Sequence, residues 1–121
     1  MERVTGIGGV FLRGRDAVAL AAWYGEHLGL DIESWNGAVL RWSGGESSVW
    51  SVFPAETEYF GRLDQQAMVN YRVADLDAIV AQLRAAGVVV DEPQETENGR
   101  FAWASDPEGN RFELWQPPPG E

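Results

Sequence analysis

The stretch DPEGNRFELW, residues 106–115, combines a strong turn signal with a short strand-like segment. The Asp-Pro pair at 106–107 favours the start of a turn, and Gly109 and Asn110 are residue types that tolerate a positive φ. Residues 111–115 then predict a closing strand. The stretch therefore predicts a tight turn that directs the last strand of a β-sheet.

Upstream of this stretch, one order of local signals occurs twice. A short strand leads in each case into an aspartate, Asp16 or Asp75, whose carboxylate can accept from the free N–H groups of a first helical turn. Apolar side chains at helical spacing then predict helices over 17–28 and 76–86. The glycines expected to stop these helices in the left-handed conformation are Gly29 and Gly87.

Further turns and strands follow each helix. Asn36-Gly37 and Asn98-Gly99 are turn dipeptides, and each half is predicted as a strand, a helix and three strands. The chain thus predicts a single α+β domain over residues 1–121, built from two βαβββ repeats. The strands expected after the helices include 38–42, 48–53, 100–104 and 111–115; the repeats cover 6–55 and 67–117, and a linker covers 56–66.

The composition constrains the partners and the compartment. The chain has 19 acidic and 9 basic residues and a formal net charge of −10, so its field repels nucleic acids. Six tryptophans and this charge favour an aromatic or cationic small molecule as ligand. The lack of cysteine excludes disulfides and thiolate metal sites. With no signal-peptide pattern and no apolar run of ~18 residues, we expect a cytoplasmic protein without a membrane partner.

Two motifs resemble those of the vicinal oxygen chelate superfamily, which includes glyoxalase I, bleomycin-resistance proteins and extradiol dioxygenases. The stretch 106–114 is similar to the closing signature of that superfamily, and Trp23-Tyr24 with His27-Leu28-Gly29 is similar to its first-helix signature. The resemblance extends from Gly6 to Pro117. It implies an open, cup-like mixed β-barrel with the helices outside, commonly in a homodimer. The two halves would pair either within one chain or across the dimer.

The resemblance also implies where a divalent metal would bind. Metal-binding members carry His, Gln or Glu ligands on the first and last strands of each half. The equivalent positions here are Gly9, Met68, Glu113 and Ser51. Trp50 takes the place of Ser51 if the register is shifted by one. Glu113 alone has a suitable side chain, because glycine has no donor atom and the thioether and hydroxyl groups are poor ligands for these metals. We therefore expect no cofactor, and a divalent metal is disfavoured.

Alternation along the strands predicts which side chains share a face with these positions. The predicted ligand-binding residues are Phe11, Trp50, Ser51, Met68, Asn70, Arg72, Trp103, Arg111, Glu113 and Trp115. They combine aromatic surface with a few polar groups, as small-molecule sites do. Glu113 is either paired with Arg72 or Arg111 or, if buried beside aromatic rings, available as a general base. An aromatic loop, Phe53-Pro54 with Tyr59-Phe60-Gly61, is either a pocket lid or a dimer contact.

Three functions follow, in order of preference. The first is a metal-free protein of the bleomycin-resistance type that sequesters a small organic molecule in an aromatic, acidic pocket. The second is a glyoxalase-type lyase or isomerase that uses Glu113 as general base or metal ligand. The third is a dimeric assembly module without a ligand. The sequence leaves open which molecule is bound and whether any reaction is catalysed.

Overall fold

The computed structural model describes residues 1–120 and contains both helices and a β-sheet, so the predicted α+β class is confirmed. The elements are β1 (Val4–Gly14), α1 (Ala17–Leu28), β2 (Gly37–Arg41), β3 (Ser47–Pro54), β4 (Ala67–Val73), α2 (Leu76–Ala85), β5 (Gln94–Thr96), β6 (Gly99–Ser105) and β7 (Arg111–Gln116). The described chain contains no helix that is long and apolar enough to cross a membrane. Two compact units are present: a first unit, Gly9–Met68, and a second unit that joins Met1–Gly8 to the chain from Val69 onward.

In the first unit, β1 pairs in parallel with β3, and β2 pairs antiparallel with β3. This half differs from the predicted repeat in one strand, because only β2 and β3 follow α1 within it. The residues before β2 form a tight turn instead. In that turn the Glu33 N–H donates to the Gly37 carbonyl over 2.7 Å, and Asn36 adopts a φ of 62°.

The predicted helix signals are confirmed. The Asp16 side chain accepts from the Ala19 N–H over 3.0 Å, and Asp75 accepts from the Ala78 N–H over the same distance. Gly29 follows α1 with a φ of 73°, the left-handed conformation that ends a helix without steric cost. These local bonds explain why the two helices start where the sequence predicts.

In the second unit, β4 pairs in parallel with β7, and β6 pairs antiparallel with both β7 and β5. One face of this sheet packs against α2. The buried residues of this core are Val73, Leu76, Ile79, Val80, Val90, Ala102, Ala104 and Leu114. Removal of these side chains from water is the main force that holds α2 on the sheet. The opposite face of this sheet, the far face, carries the alternating residues Asn70, Arg72, Phe101, Trp103, Arg111, Glu113 and Trp115.

An ion pair also connects α2 to β6. Arg100 Nη2 donates to Asp77 Oδ1 over 2.8 Å. The hydrogen bond from Arg100 lowers the pKa of Asp77, and it raises the pKa of Arg100; desolvation opposes both changes. Because Asp77 is largely exposed, the pair adds little to stability and is weakened by salt.

The predicted closing turn is confirmed, although Asn110 has a different role from the one expected. Asp106 Oδ1 accepts from the backbone N–H groups of Glu108 and Asn110, both over 2.9 Å. Gly109 adopts a φ of 86°, whereas Asn110 has no positive φ. Instead, Asn110 Nδ2 donates to Asp106 Oδ2 over 3.0 Å. The motif is therefore a carboxylate-centred turn that delivers the chain into β7.

The segment between β3 and β4 is organised by one buried side chain. Arg13 is 6% exposed, and its guanidinium lies over the Phe60 ring, 4.8 Å from the ring centroid. It donates to the backbone carbonyls of Ala55 (2.7 Å), Thr57 (2.7 Å), Arg62 (2.8 Å) and Gln65 (2.7 Å). The segment thus folds around the guanidinium group.

The aromatic loop is part of the core of the first unit. Phe60 is fully buried and packs with Phe11 and Met68. Tyr59 stacks on Phe53, with ring centroids 5.4 Å apart and an interplanar angle of 5°. Phe60 is therefore a core residue of the first unit, and its burial argues against a pocket lid or an exposed dimer contact at this position.

Candidate ligand-binding site

The far face of the second unit carries the polar residues that the sequence singled out. Leu114 and Phe112 pack into the core beneath α2, so alternation along β7 turns Arg111, Glu113 and Trp115 to the far face. The same alternation turns Asn70 and Arg72 of β4 to this face, since Tyr71 and Val73 belong to the core. Trp103 of β6 also lies on the far face, because its neighbours Ala102 and Ala104 lie in the core.

Three of these side chains form a row across adjacent strands. In the strand register, Glu113 lies opposite Asn70 on one side and Trp103 on the other. Asn70 Nδ2 donates to Glu113 Oε1 over 2.5 Å, and Trp103 Nε1 donates to Glu113 Oε2 over 2.8 Å. Glu113 is only 2% exposed. Each carboxylate oxygen therefore accepts from an N–H group that is fixed on a neighbouring strand.

Aromatic rings lie beside this row. Phe101 lies between Trp103 and Trp115, with centroid distances of 6.3 and 6.2 Å and interplanar angles of 14° and 11°. Trp115 is anchored at its edge, where Nε1 donates to the Asn98 carbonyl over 2.8 Å. The sequence prediction missed Phe101, although alternation along β6 from Trp103 would have placed it on this face.

Both predicted arginines lie against tryptophan rings. The Arg72 guanidinium is 5.0 Å from the Trp115 centroid, and that of Arg111 is 5.8 Å from the Trp103 centroid. Arg111 also forms an ion pair with Asp91 over 3.1 Å. The far face therefore combines one buried carboxylate with two guanidinium groups and an aromatic row. This arrangement is more mixed in charge than the acidic pocket that the net charge suggested.

Asn70 differs from the other polar groups of the row. The residue is 3% exposed, and its Oδ1 is buried without a hydrogen-bond partner among the described residues. A buried acceptor left unpaired is costly, and native proteins contain few of them. The unpaired Oδ1 of Asn70 therefore lowers the stability of the fold.

The predicted ligand-binding residues of the first unit form a separate set. Phe11 and Met68 lie in the aromatic core with Phe60, and Ser51 is buried opposite Phe11 in the β1–β3 register. Trp50 instead packs on Tyr24 of α1, with ring centroids 4.6 Å apart. The alternative register, which turned Trp50 rather than Ser51 to the face of Phe11, is therefore wrong.

The residues at the four metal positions do not fit a divalent metal. Gly9 offers no donor, and Met68 is fully buried in an apolar cluster. Ser51 is a neutral hydroxyl, which leaves Glu113 as the one anionic donor of the four, fewer than the three or so protein ligands that a catalytic metal site needs. Among residues 1–120, no three His, Cys, Asp or Glu side chains are grouped as metal ligands.

Comparisons with known proteins agree on the fold. The family model described as a glyoxalase-like domain matches residues 9–115. Methylmalonyl-CoA epimerase from Mycobacterium tuberculosis is 24% identical, with a TM-score of 0.71 over 96% of this chain and 90% of that one. The Streptomyces coelicolor epimerase in complex with 2-nitronate-propionyl-CoA is 21% identical, with a TM-score of 0.69 over 95% and 99%.

A third solved structure shares the fold but carries a different activity. The NAD-dependent benzaldehyde dehydrogenase from Legionella pneumophila is 14% identical, with a TM-score of 0.62 over 91% of this chain and 98% of that one. At these identities the solved structures show the fold alone, since one fold serves many reactions. A search among curated proteins found no significant match.

Proposed function

Because the chain belongs to the glyoxalase-like domain family, we propose that it is a metal-free protein that binds a small organic molecule on the far face of the second unit. Its role in this proposal is sequestration, of the kind by which a resistance protein removes a toxic compound. The ligand has an aromatic body and a cationic or hydrogen-bond-donating group. A cytoplasmic location and a homodimer remain predictions.

One observation carries this proposal: a buried carboxylate, that of Glu113, held between an amide and an indole on an aromatic face. A carboxylate group is an acceptor of hydrogen bonds and an attractive partner for a cation. In this proposal a donor or cationic group of the ligand binds the Glu113 carboxylate. Phe101 is partly exposed between the buried Trp103 and Trp115, and it offers apolar surface to a flat ring.

The flanking arginines restrict the ligand further. The positively charged Arg72 and Arg111 lie over the Trp115 and Trp103 rings. The far face therefore presents positive as well as negative charge to a ligand. Its donor or cation has to be directed at Glu113, where the attraction is local and poorly screened by salt. This geometry supports selection by the position of one polar group rather than by the total charge of the ligand.

The test is a binding titration with three flat probes of similar size: the cation 1-methylquinolinium, neutral quinoline and anionic 2-naphthoate. We expect the cation to bind most tightly, with Kd below about 1 mM, as for a weak specific site. Glu113→Gln should weaken binding about tenfold or more, because it removes the acceptor charge. Glu97→Gln removes an equal charge at an exposed turn position and should leave Kd unchanged.

Two results would overturn the proposal. The first is the absence of binding by all three probes at millimolar concentration. The second is an equal loss of binding in Glu113→Gln and Glu97→Gln, since a general effect of net charge would then explain the attraction. Elemental analysis of protein purified without chelators belongs to the same experiment. Stoichiometric metal would contradict the metal-free part of the proposal.

A second candidate function is proton transfer at carbon, as in a glyoxalase-type isomerase or lyase. The observation that favours it is the fixed orientation of the Glu113 carboxylate, which is what a general base requires. Glu113 would take a proton from a carbon next to a carbonyl group and return it to the neighbouring carbon. The similar fold of two methylmalonyl-CoA epimerases makes this reaction class the one to assay.

The assay uses 2-oxoaldehyde–thiol adducts in deuterated water. An enzyme would turn these adducts over or exchange their carbon-bound proton for deuterium, and Glu113→Gln would abolish both. Neither turnover nor exchange above the rate without protein would contradict this candidate and leave binding as the function.

A further inference from the structure

We infer that Gly8 and Asn70 are positioning residues that hold the Glu113 carboxylate in place for its ligand. This inference rests on the proposed function, because it assigns Glu113 as the group that the ligand meets. It adds Gly8, which the sequence prediction did not select. All three residues belong to the second unit.

The first step of the argument is the space at Gly8. This residue is buried in β1, and a Cβ atom added there would overlap Asn70 Oδ1. The same Cβ would stand 2.8 Å from Trp115 Cε3 and 3.2 Å from Arg72 Cγ. A glycine is therefore required where β1 passes the Asn70 amide, since any side chain would push the amide away.

The second step concerns the orientation of the amide. If the Asn70 amide were flipped, its oxygen would face a Glu113 oxygen, and two acceptors would be opposed. The amide therefore directs Nδ2 toward Glu113 and Oδ1 toward Gly8, where Oδ1 finds no hydrogen-bond partner. An apolar residue at position 70 would avoid that unpaired acceptor. The loss of stability caused by the unpaired Oδ1 is explained if the function of the amide is to orient the Glu113 carboxylate.

The third step is the result for Glu113. Asn70 holds one carboxylate oxygen from β4, and Trp103 holds the other from β6. Donors on both neighbouring strands fix the plane of the carboxylate before a ligand arrives. A ligand then binds without first having to order this side chain, which lowers the entropic cost of association.

The experiment compares Gly8→Ala with the matched control Gly44→Ala, since Gly44 is surrounded by open space. Two readouts are measured: the indole N–H resonance of Trp103, identified with Trp103→Phe, and the Kd of 1-methylquinolinium. Gly8→Ala should shift the resonance, because the displaced amide moves the carboxylate that Trp103 binds. It should also weaken probe binding about tenfold or more, as the loss of groups supporting a site typically does. Gly44→Ala should change neither readout.

A thermodynamic cycle tests the link between the two positions. In an Asn70→Ala background the overlap with Oδ1 is gone, so Gly8→Ala should destabilise that variant less than it destabilises the wild type. The contact with Trp115 remains in both backgrounds and cancels in the comparison. Asn70→Ala alone should also shift the Trp103 resonance, even if Gly8→Ala does not fold.

The possible results are separable. An unshifted Trp103 resonance in folded Gly8→Ala, or in Asn70→Ala, would overturn the inference, and so would equal effects of Gly8→Ala in both backgrounds. If the wild type binds no probe, the proposed function fails, while the resonance and the cycle still decide whether Gly8 and Asn70 position Glu113. A shifted resonance with non-additive stability supports the inference in either case.

Discussion

Arg13→Lys is the most informative single substitution for the first unit. The guanidinium of Arg13 donates to carbonyl groups spread from Ala55 to Gln65 at 2.7–2.8 Å. A planar guanidinium presents several donors in a rigid fork, whereas an ammonium group is a single point with three donors on a flexible stem. Lysine keeps the charge but cannot reach all of these carbonyls together. The substitution therefore isolates geometry from charge.

The expected loss can be worked out from these contacts. A hydrogen bond from a charged donor contributes about 1.5–3 kcal/mol net. If lysine loses two of the bonds and partly recovers their energy through water, the free energy of unfolding falls by about 2–4 kcal/mol. Domains of ordinary stability unfold with about 5–15 kcal/mol, so the variant should fold but be clearly weakened. The ring contact between Arg13 and Phe60 would weaken as well.

The assay is equilibrium unfolding in urea, followed by tryptophan fluorescence. With a slope of about 2 kcal/mol per M, the midpoint for Arg13→Lys should fall by about 1–2 M. The matched control is Arg15→Lys, two positions along the chain at an exposed site, and it should leave the midpoint within error. Equal midpoints for the two variants, or a loss below about 0.5 kcal/mol for Arg13→Lys, would refute the reasoning, since exposed substitutions have effects of that size.

Two further predictions concern pH. Asn70→Asp sets a second carboxyl group against Glu113, so the folded pair keeps a proton that the unfolded chain releases above about pH 4. Relative to the wild type, the variant should therefore lose stability as the pH rises from about 4 to 7, by at most about 1.4 kcal/mol per pH unit. Urea unfolding of both proteins across this range measures the difference in stability. A difference that stayed constant with pH would contradict the prediction. At Asp77, where the hydrogen bond from Arg100 lowers the pKa, the pair stabilises the fold above the unfolded value and loses its effect as the pH falls through the folded value. Asp77→Asn should thus be slightly less stable than the wild type at pH 7, and the difference should shrink as acid protonates Asp77. Added salt should reduce the difference at pH 7. A difference that did not shrink in acid would contradict this reading.

The sequence by itself determined the features whose partners lie within one turn of the chain. Asp16 and Asp75 cap their helices through N–H groups three residues away, and Asp106 organises its turn through residues no more than four positions on. Such contacts form wherever the local residues allow them, so local patterns are enough to predict them. The same holds for the faces of β4 and β7, because alternation with a period of two needs no knowledge of the partner strand.

Only the tertiary structure decided the contacts that depend on strand register and on distant segments. Ser51 rather than Trp50 faces Phe11 because β1 and β3 pair in one register, which no local pattern specifies. Asn70 and Glu113 are 43 residues apart in sequence, and their hydrogen bond exists because β4 lies beside β7. The space that Gly8 leaves for Asn70 likewise becomes visible only when β1 has passed the site. A sequence specifies which groups a strand presents, whereas packing between strands decides which of those groups meet.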